Sequence, residues 1–325
     1  MRAAAWWQCL LMTCLALGSI SDALAQEYPT KPVRLIVPFP AGGGSDIIGR
    51  ILAQKLSERL GQQVVVDNRA GAGGSIGTEA AVRSAPDGYT LVLASTSEIA
   101  VNPGIYSNLP YDTVKDLVPV AMVASTPMVI VTSPSLPIKT ATDLVAYARS
   151  KPRQVNVGSA GNGSFTHLAG ELFRSTNGVT WTHVPYKGAP PALTDLAAGR
   201  IDVMFSTLPA AIGMIKSNLI RPIAVSAQTR DANLPDVPTA TESGIAGYDV
   251  QYWYGVFVPA GTPKPVVAKL ADSIAQTLKA PDMIESLGKQ GASPGTLTDA
   301  AFAAYVTQEV EKWGKVVKES GAKID

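Results

Sequence analysis

Short apolar runs alternate along most of the chain with stretches whose apolar residues recur every three or four positions. The runs read as strands buried on both faces and the stretches as helices with one core-facing stripe, which predicts an α/β protein built on parallel sheets. Strands are expected at 33–37, 64–66, 90–93, 128–131, 155–157 and 203–205, and helices at 46–60, 75–83, 142–150, 164–176, 191–198 and 265–278. In the first helix Ile47, Ile48, Ile51, Leu52, Leu56 and Leu60 form the stripe, and its role is packing. Two stretches without helical interruption, 118–131 and 222–226, read as extended crossings between two lobes. The expected division is 26–125 plus 226–325 for lobe 1 and 126–225 for an inserted lobe 2.

The first 25 residues carry a different pattern: Arg2, then a short apolar stretch, then Ala23-Leu24-Ala25. This reads as a signal peptide with cleavage before Gln26, too short to span a membrane. A rival reading makes Leu11-Met12-Thr13-Cys14 a lipoprotein box, for which Thr13 is a poor fit. Both cysteines, Cys9 and Cys14, fall inside the segment, so no disulfide is expected in the mature chain, which is large enough to bury a core without one. The expected location is the periplasm. A net charge of +1 lacks the basic excess of a nucleic-acid binder.

Glycine-rich junctions are the places where this pattern points to chemistry. Pro38-Phe39-Pro40-Ala41-Gly42-Gly43-Gly44-Ser45-Asp46 joins the first strand to the first helix. Glycines let the backbone approach an anion, and the helix start offers unpaired N–H groups. A packing turn with Ser45 or Asp46 as an N-cap fits the same residues. The second junction, 158–167, repeats the arrangement in the other expected lobe, with Ser159, Asn162, Ser164 and Thr166 as possible side-chain donors, or with Ser164 or Thr166 as a plain cap. A third, Arg69-Ala70-Gly71-Ala72-Gly73-Gly74-Ser75-Ile76-Gly77, fails the dinucleotide spacing because Ile76 stands where a glycine is required; packing or a cleft wall is expected of it. Ser95-Thr96-Ser97-Glu98 follows a strand at the end where α/β sheets place ligands, or is an ordinary loop.

Catalytic constellations are thin. His167 and His183 are the only histidines, read as helix and strand residues, and neither a G-x-S-x-G elbow nor a Walker loop is present. No metal and no cofactor are expected, and the chain is not read as an enzyme.

Taken together, Pro38–Asp46, Val66-Asp67-Asn68-Arg69-Ala70-Gly71-Ala72-Gly73-Gly74, Pro86-Asp87-Gly88-Tyr89-Thr90-Leu91, Gly161-Asn162-Gly163-Ser164-Phe165-Thr166-His167, His183-Val184-Pro185-Tyr186-Lys187-Gly188, Leu234-Pro235-Asp236-Val237-Pro238-Thr239 and Pro259-Ala260-Gly261-Thr262-Pro263 resemble the signatures of the tripartite tricarboxylate transporter receptors, the Bug family of periplasmic solute-binding proteins. The resemblance implies a type II-like Venus-flytrap of two α/β lobes joined by crossing strands. It also implies a small organic acid held by backbone groups and waters, and delivery to the membrane permease subunits of a tripartite transporter. Carried over residue by residue, it names Phe39, Pro40, Ala41, Gly42, Gly43, Ser45 and Asp46 in the first loop and Ser159, Ala160, Gly161, Asn162, Gly163, Ser164 and Thr166 in the second. Asp202 matches a family position before a cleft-facing strand, or is a solvated strand start. Ser95, Thr96, Ser97, Tyr186, Phe205 and Ser206 are candidates for the distal part of the ligand; Trp253 and Tyr254 are candidate walls, with core packing the favoured role. A monomer is expected. A ligand-sensing subunit of a signalling system is the alternative, with a periplasmic enzyme behind it.

Overall fold

The computed structural model describes residues 28–248 and 250–320; the expected signal peptide lies outside them. Along the chain run β1 (Val33–Val37), α1 (Gly44–Leu60), β2 (Val64–Asn68), α2 (Ser75–Val82), β3 (Thr90–Ser95), α3 (Asn102–Ile105), β4 (Leu117–Thr132), α4 (Ala141–Ser150), β5 (Asn156–Ser159), α5 (Phe165–Asn177), β6 (Thr182–Pro185), α6 (Ala189–Ala197), β7 (Val203–Thr207), α7 (Leu208–Lys216), β8 (Arg221–Val225), β9 (Gln251–Pro259), α8 (Lys264–Leu278), α9 (Pro281–Gly288), β10 (Ser293–Pro294) and α10 (Asp299–Ser320). Every strand and helix expected from the pattern is present, most with shifted ends.

The strands lie in the order β2-β1-β3-β9-β4-β7-β5-β6, with β8 and β10 also paired to β4. β1, β2 and β3 are parallel, as are β5, β6 and β7, and each parallel group meets the centre through antiparallel partners. β4 is the element common to both halves. Its residues 117–127 pair with β9 and its residues 128–132 with β7 and β8. Two prolines fit within this long strand because Pro119 sits at a register shift and Pro127 stands where the partners change.

One crossing differs from the sequence reading. The stretch 222–226 falls largely in β8, which pairs with Val129–Thr132 of β4 and, through Val225, makes a single bridge to Thr239. The strand that runs beside β4 toward the first parallel group is β9, reached only at Gln251. Its apolar run, Tyr252 to Val258, is buried throughout, and such a run predicts a strand without showing which sheet half it joins.

α1 buries Ile48, Leu52 and Leu56 fully, while Ile47, Ile51 and Leu60 are half-buried along its flank. Gly49 brings the helix close to the sheet, since a Cβ there would stand 3.0 Å from Val37 and 3.3 Å from Leu93. α10 was not expected from the sequence. Its stripe of Phe302, Val306, Trp313 and Val317 is buried against the β3–β9 side of the core, and Glu309 lies on the same stripe.

Candidate functional site

Both glycine-rich junctions follow the C-terminal ends of parallel strands, β1 and β5, and both lead into helix N-termini, α1 and α5. The N-cap of α1 is Gly43, with no side chain capping the first turn, so the first-turn N–H groups remain open to an anion. Asp46 does not cap. Its carboxylate turns back to accept the Gly42 N–H at 2.9 Å, the Arg50 guanidinium at 2.9 Å and the Asn68 amide at 3.0 Å. Asn68 also donates to the Phe39 carbonyl at 3.0 Å. Burial pushes the Asp46 carboxyl up, but the bonds from Arg50, Gly42 and Asn68 outweigh it and hold the group below the usual carboxylate range. These bonds fix the loop from behind and leave its N–H face forward.

The second loop is braced by its own side chains. Ser164 caps α5 by accepting the His167 N–H, and its hydroxyl donates to the Gly161 carbonyl at 2.7 Å. Thr166 Oγ1 accepts the Ala160 N–H at 2.8 Å, and Ser159 Oγ meets His183 Nε2 at 2.7 Å. His183 stacks on His167 with ring centroids 3.8 Å apart. Burial, together with the neighbouring ring, takes His183 down to about 3, and burial lowers His167, so the pair buttresses the loop as neutral imidazoles.

Between the loops lie two adjacent spaces that share Phe39, Pro40 and Ala160 in their walls. The inner one, of about 30 Å³, is lined by Phe39, Pro40, Gly43, Gly44 and Ser45 from the first loop, by Ala160, Ser164, Phe165, Thr166 and Ala189 opposite, and by Ser97, Thr207, Tyr252 and Tyr254 at its floor. That volume suits a carboxylate head or one or two waters and no whole dicarboxylate. The outer one, of about 590 Å³, has further walls from 70–74, Tyr106, 161–162 and 185–188. No Lys or Arg lines the inner space; Lys187 lines the outer. Gly44 is required by close approach, because a Cβ would stand 2.5 Å from Thr207 Oγ1 and 2.7 Å from Tyr254 Oη. Tyr254 Oη has no hydrogen-bond partner among the described residues. The two halves touch around these spaces: Phe165 N–H donates to Ser97 Oγ at 2.8 Å, and Tyr106 Oη donates to the Asn162 carbonyl at 3.3 Å.

Phe39, Pro40, Gly43, Ser45, Ser97, Ala160, Gly161, Asn162, Ser164, Thr166 and Tyr186 line one space or both. Ala41, Gly42, Asp46, Ser159 and Gly163 line neither space. Ser95 bonds Glu98, and Thr96 Oγ1 accepts the Trp253 N–H at 3.0 Å, so both are turned away from the cleft. Phe205 packs on Phe173, Trp181 and Tyr248 in the core, and the Ser206 hydroxyl donates to the Thr207 carbonyl. Asp202 lies at the opposite end of its strand from the cleft, where its carboxylate accepts the Asn156 N–H at the start of β5. Tyr186 bonds Asp195 at 2.8 Å, and burial with that bond pushes its phenol up to about 12.

Thr207, Tyr252 and the brace Asn68 were not expected, and Gly44 was expected only as one of the three loop glycines. Strand alternation was the missed signal for β9: Tyr252 and Tyr254 face the cleft, whereas Trp253 faces α10, its indole donating to Glu309 at 3.0 Å. The third glycine-rich stretch serves both expected roles, with 70–74 walling the outer space and Gly74 packing on Glu98. Among the described residues no cluster of His, Cys, Asp and Glu is placed to hold a metal, and no helix is long and apolar enough to cross a membrane.

Comparison with known proteins agrees with this architecture. The sequence profile of the tripartite tricarboxylate transporter family receptor, TctC, matches residues 48–322. The protein BugT of Bordetella pertussis is 38% identical over 308 residues, covering 94% of each chain. The solved structure of R. palustris Rpa4515 with adipate superposes with a TM-score of 0.88 at 37% identity, over 90% of this chain and 98% of that one. MatC from Rhodopseudomonas palustris, with bound malate, gives a TM-score of 0.85 at 31% identity, over 89% and 100%. A two-lobed α/β fold with paired glycine-rich loops at its cleft, matched over nearly its full length, places the chain in the tripartite tricarboxylate transporter receptor (TctC/Bug) family of periplasmic solute-binding proteins.

Proposed function

We propose that the protein captures a small carboxylated metabolite between its lobes in the periplasm and presents it to the membrane permease subunits of a tripartite transporter. One carboxylate enters the inner space, where the uncapped N-terminus of α1 and the Tyr254 hydroxyl supply neutral donors, directly and through water, and the remainder of the molecule occupies the outer space. The observation that carries this reading is the unpartnered, fully buried Tyr254 hydroxyl beside the uncapped start of α1, a donor set without a counter-charge. Adipate and malate in the related structures support the ligand class. No chemical step is part of this function. The lobes are taken as 26–125 with 226–325 and 126–225; the return of the chain through β9 argues for moving the second boundary toward Gln251.

A thermal-shift and calorimetry series with carboxylic acids tests the proposal. A true ligand at about 100 times its Kd raises stability by about 2.7 kcal/mol. Gly44→Ala, which puts a methyl against Thr207 and Tyr254, is expected to abolish that shift while leaving the fold intact. Stabilisation by neutral sugars or cations in place of carboxylates, or unchanged binding in the variant, overturns it.

A further inference from the structure

Glu98 is fully buried on the single π-helical turn Ser97–Val101 that follows β3. Its Oε2 accepts the Ser95 N–H at 3.1 Å and is bonded by the Ser95 hydroxyl, while Oε1 has no partner among the described residues. From there a row of hydroxyls leads to the cleft. Ser95 Oγ lies 2.5 Å from Tyr252 Oη, and Tyr252 Oη lies 3.5 Å from Ser97 Oγ. Tyr252 and Ser97 line the inner space.

No cation offsets the buried carboxyl. The titratable groups around it are Tyr111, whose hydroxyl donates to the Glu98 carbonyl at 3.0 Å, Tyr252 and Tyr254 on β9, and Glu309 on α10, which packs on the same turn. Glu309 is already engaged by Trp253, Trp313 and Lys312. Gly74 closes the remaining side, since a Cβ there would stand 2.6 Å from Glu98 Cγ and 3.0 Å from Oε1. Burial pushes the Glu98 carboxyl up to about 8, against the smaller opposing effect of the Ser95 bonds. An unpartnered oxygen also costs less on a neutral carboxyl than on a carboxylate.

Each hydroxyl in the row carries one proton, so the row has two directions. With Glu98 ionised, Ser95 donates to it, Tyr252 donates to Ser95, and a phenol lone pair faces the inner space. With Glu98 protonated, its O–H donates to Ser95, Ser95 donates to Tyr252, and the phenol O–H faces the inner space. An anion is repelled by the first arrangement and bound by the second. We infer that Glu98 is a positioning residue for anion capture, its proton orienting the Ser95–Tyr252 hydroxyls so that Tyr252 donates to the ligand carboxylate. Binding of the anion and retention of that proton are therefore coupled. The inference rests on the carboxylate reading of the cleft.

Calorimetry of the mature chain with adipate and with malate, from about pH 6 to about pH 9.5, tests it. Wild-type affinity is expected to hold below the Glu98 titration and to fall toward about tenfold per pH unit above it. Glu98→Gln, whose amide nitrogen can donate to Ser95 Oγ but cannot also accept the Ser95 N–H that Oε2 accepts, is expected to bind more weakly than wild type at low pH and to lose the pH dependence. Tyr252→Phe is expected to bind more weakly with an equally flat profile. Near pH 8, the enthalpy in two buffers of different ionisation heat is expected to report proton uptake by wild type and none by Glu98→Gln. A flat wild-type profile, or an unchanged slope in Glu98→Gln, overturns the inference and leaves carboxylate binding standing. Failure of both acids to bind at low pH overturns the two together.

Discussion

Asp46, in the first turn of α1, and Glu98, on the π-helical turn after β3, are buried carboxyls, and their surroundings move them in opposite directions. Asp46 gains charge-assisted bonds from Arg50, the Gly42 N–H and Asn68, so its folded form holds a proton less readily than the unfolded chain. Its stabilising effect is present above the usual carboxylate range and is lost as pH falls through its lowered folded value. Asp46→Asn is expected to cost about 1.5–3 kcal/mol at neutral pH, with the gap to wild type narrowing in acid when unfolding is followed in urea. For Glu98 the sign reverses. Folding retains a proton that the unfolded chain releases above its ordinary value of 4.5, so wild-type stability relative to Glu98→Gln is greatest in acid. It is expected to decline as pH rises from 4.5 toward about 8, by up to about 1.4 kcal/mol per pH unit. Identical urea midpoints for the two proteins across that window would contradict the assignment. Neither behaviour is legible in the sequence. An acidic residue at a helix start reads as a cap, and only the placement of Asn68 22 positions away turns Asp46 into a brace.

At the scale of elements, the apolar pattern exposed most strands and helices because burial on one stripe or on both faces writes itself into local sequence. It did not expose partners. β8 and β9 are both apolar runs, and only pairing distinguishes the strand confined to one half from the one that follows β4 through the junction. Alternation within β9 was readable and decides which aromatics meet the ligand. Tyr252 and Tyr254 project toward the cleft, and Trp253 projects toward Phe302, Tyr305 and Glu309. The two faces predict a clean separation of effects. Trp253→Phe removes the indole donor to Glu309 and is expected to lower stability by about 1–3 kcal/mol with ligand affinity nearly unchanged. Tyr254→Phe removes a hydroxyl that makes no well-formed hydrogen bond among the described residues, although it lies beside the Thr207 side chain. It is expected to leave stability within about 1 kcal/mol while weakening carboxylate binding by about tenfold or more. Paired melting curves and titrations check both, and a Tyr254→Phe variant that binds like wild type would remove that hydroxyl from the site.

For the whole molecule the decisive contacts are those between loops of different halves. Gly188, the N-cap of α6, faces Pro40 so closely that a Cβ would stand 2.2 Å from the proline Cγ, and its φ of +113° already disfavours other residues. Neither the proline ring nor the backbone at Gly188 can yield as the end of a flexible side chain would. This closeness belongs to the arrangement in which Phe165 N–H reaches Ser97 and the inner space measures about 30 Å³. A ligand favours that arrangement only through contacts it makes with both halves at once, and its closure-dependent affinity equals the free energy by which it shifts the closing equilibrium. Gly188→Val therefore acts on closure more than on either half. Small-angle scattering of wild type is expected to show compaction on saturation with a bound carboxylate, whereas the variant stays expanded and binds at least about tenfold more weakly. Its stability without ligand is expected to fall only by the local backbone strain, on the order of 1–2 kcal/mol, read as a small drop in melting temperature. A variant that compacts and binds as wild type does would show that the Pro40–Gly188 approach is incidental to capture, and would place closure in the Tyr106–Asn162 and Ser97–Phe165 contacts alone.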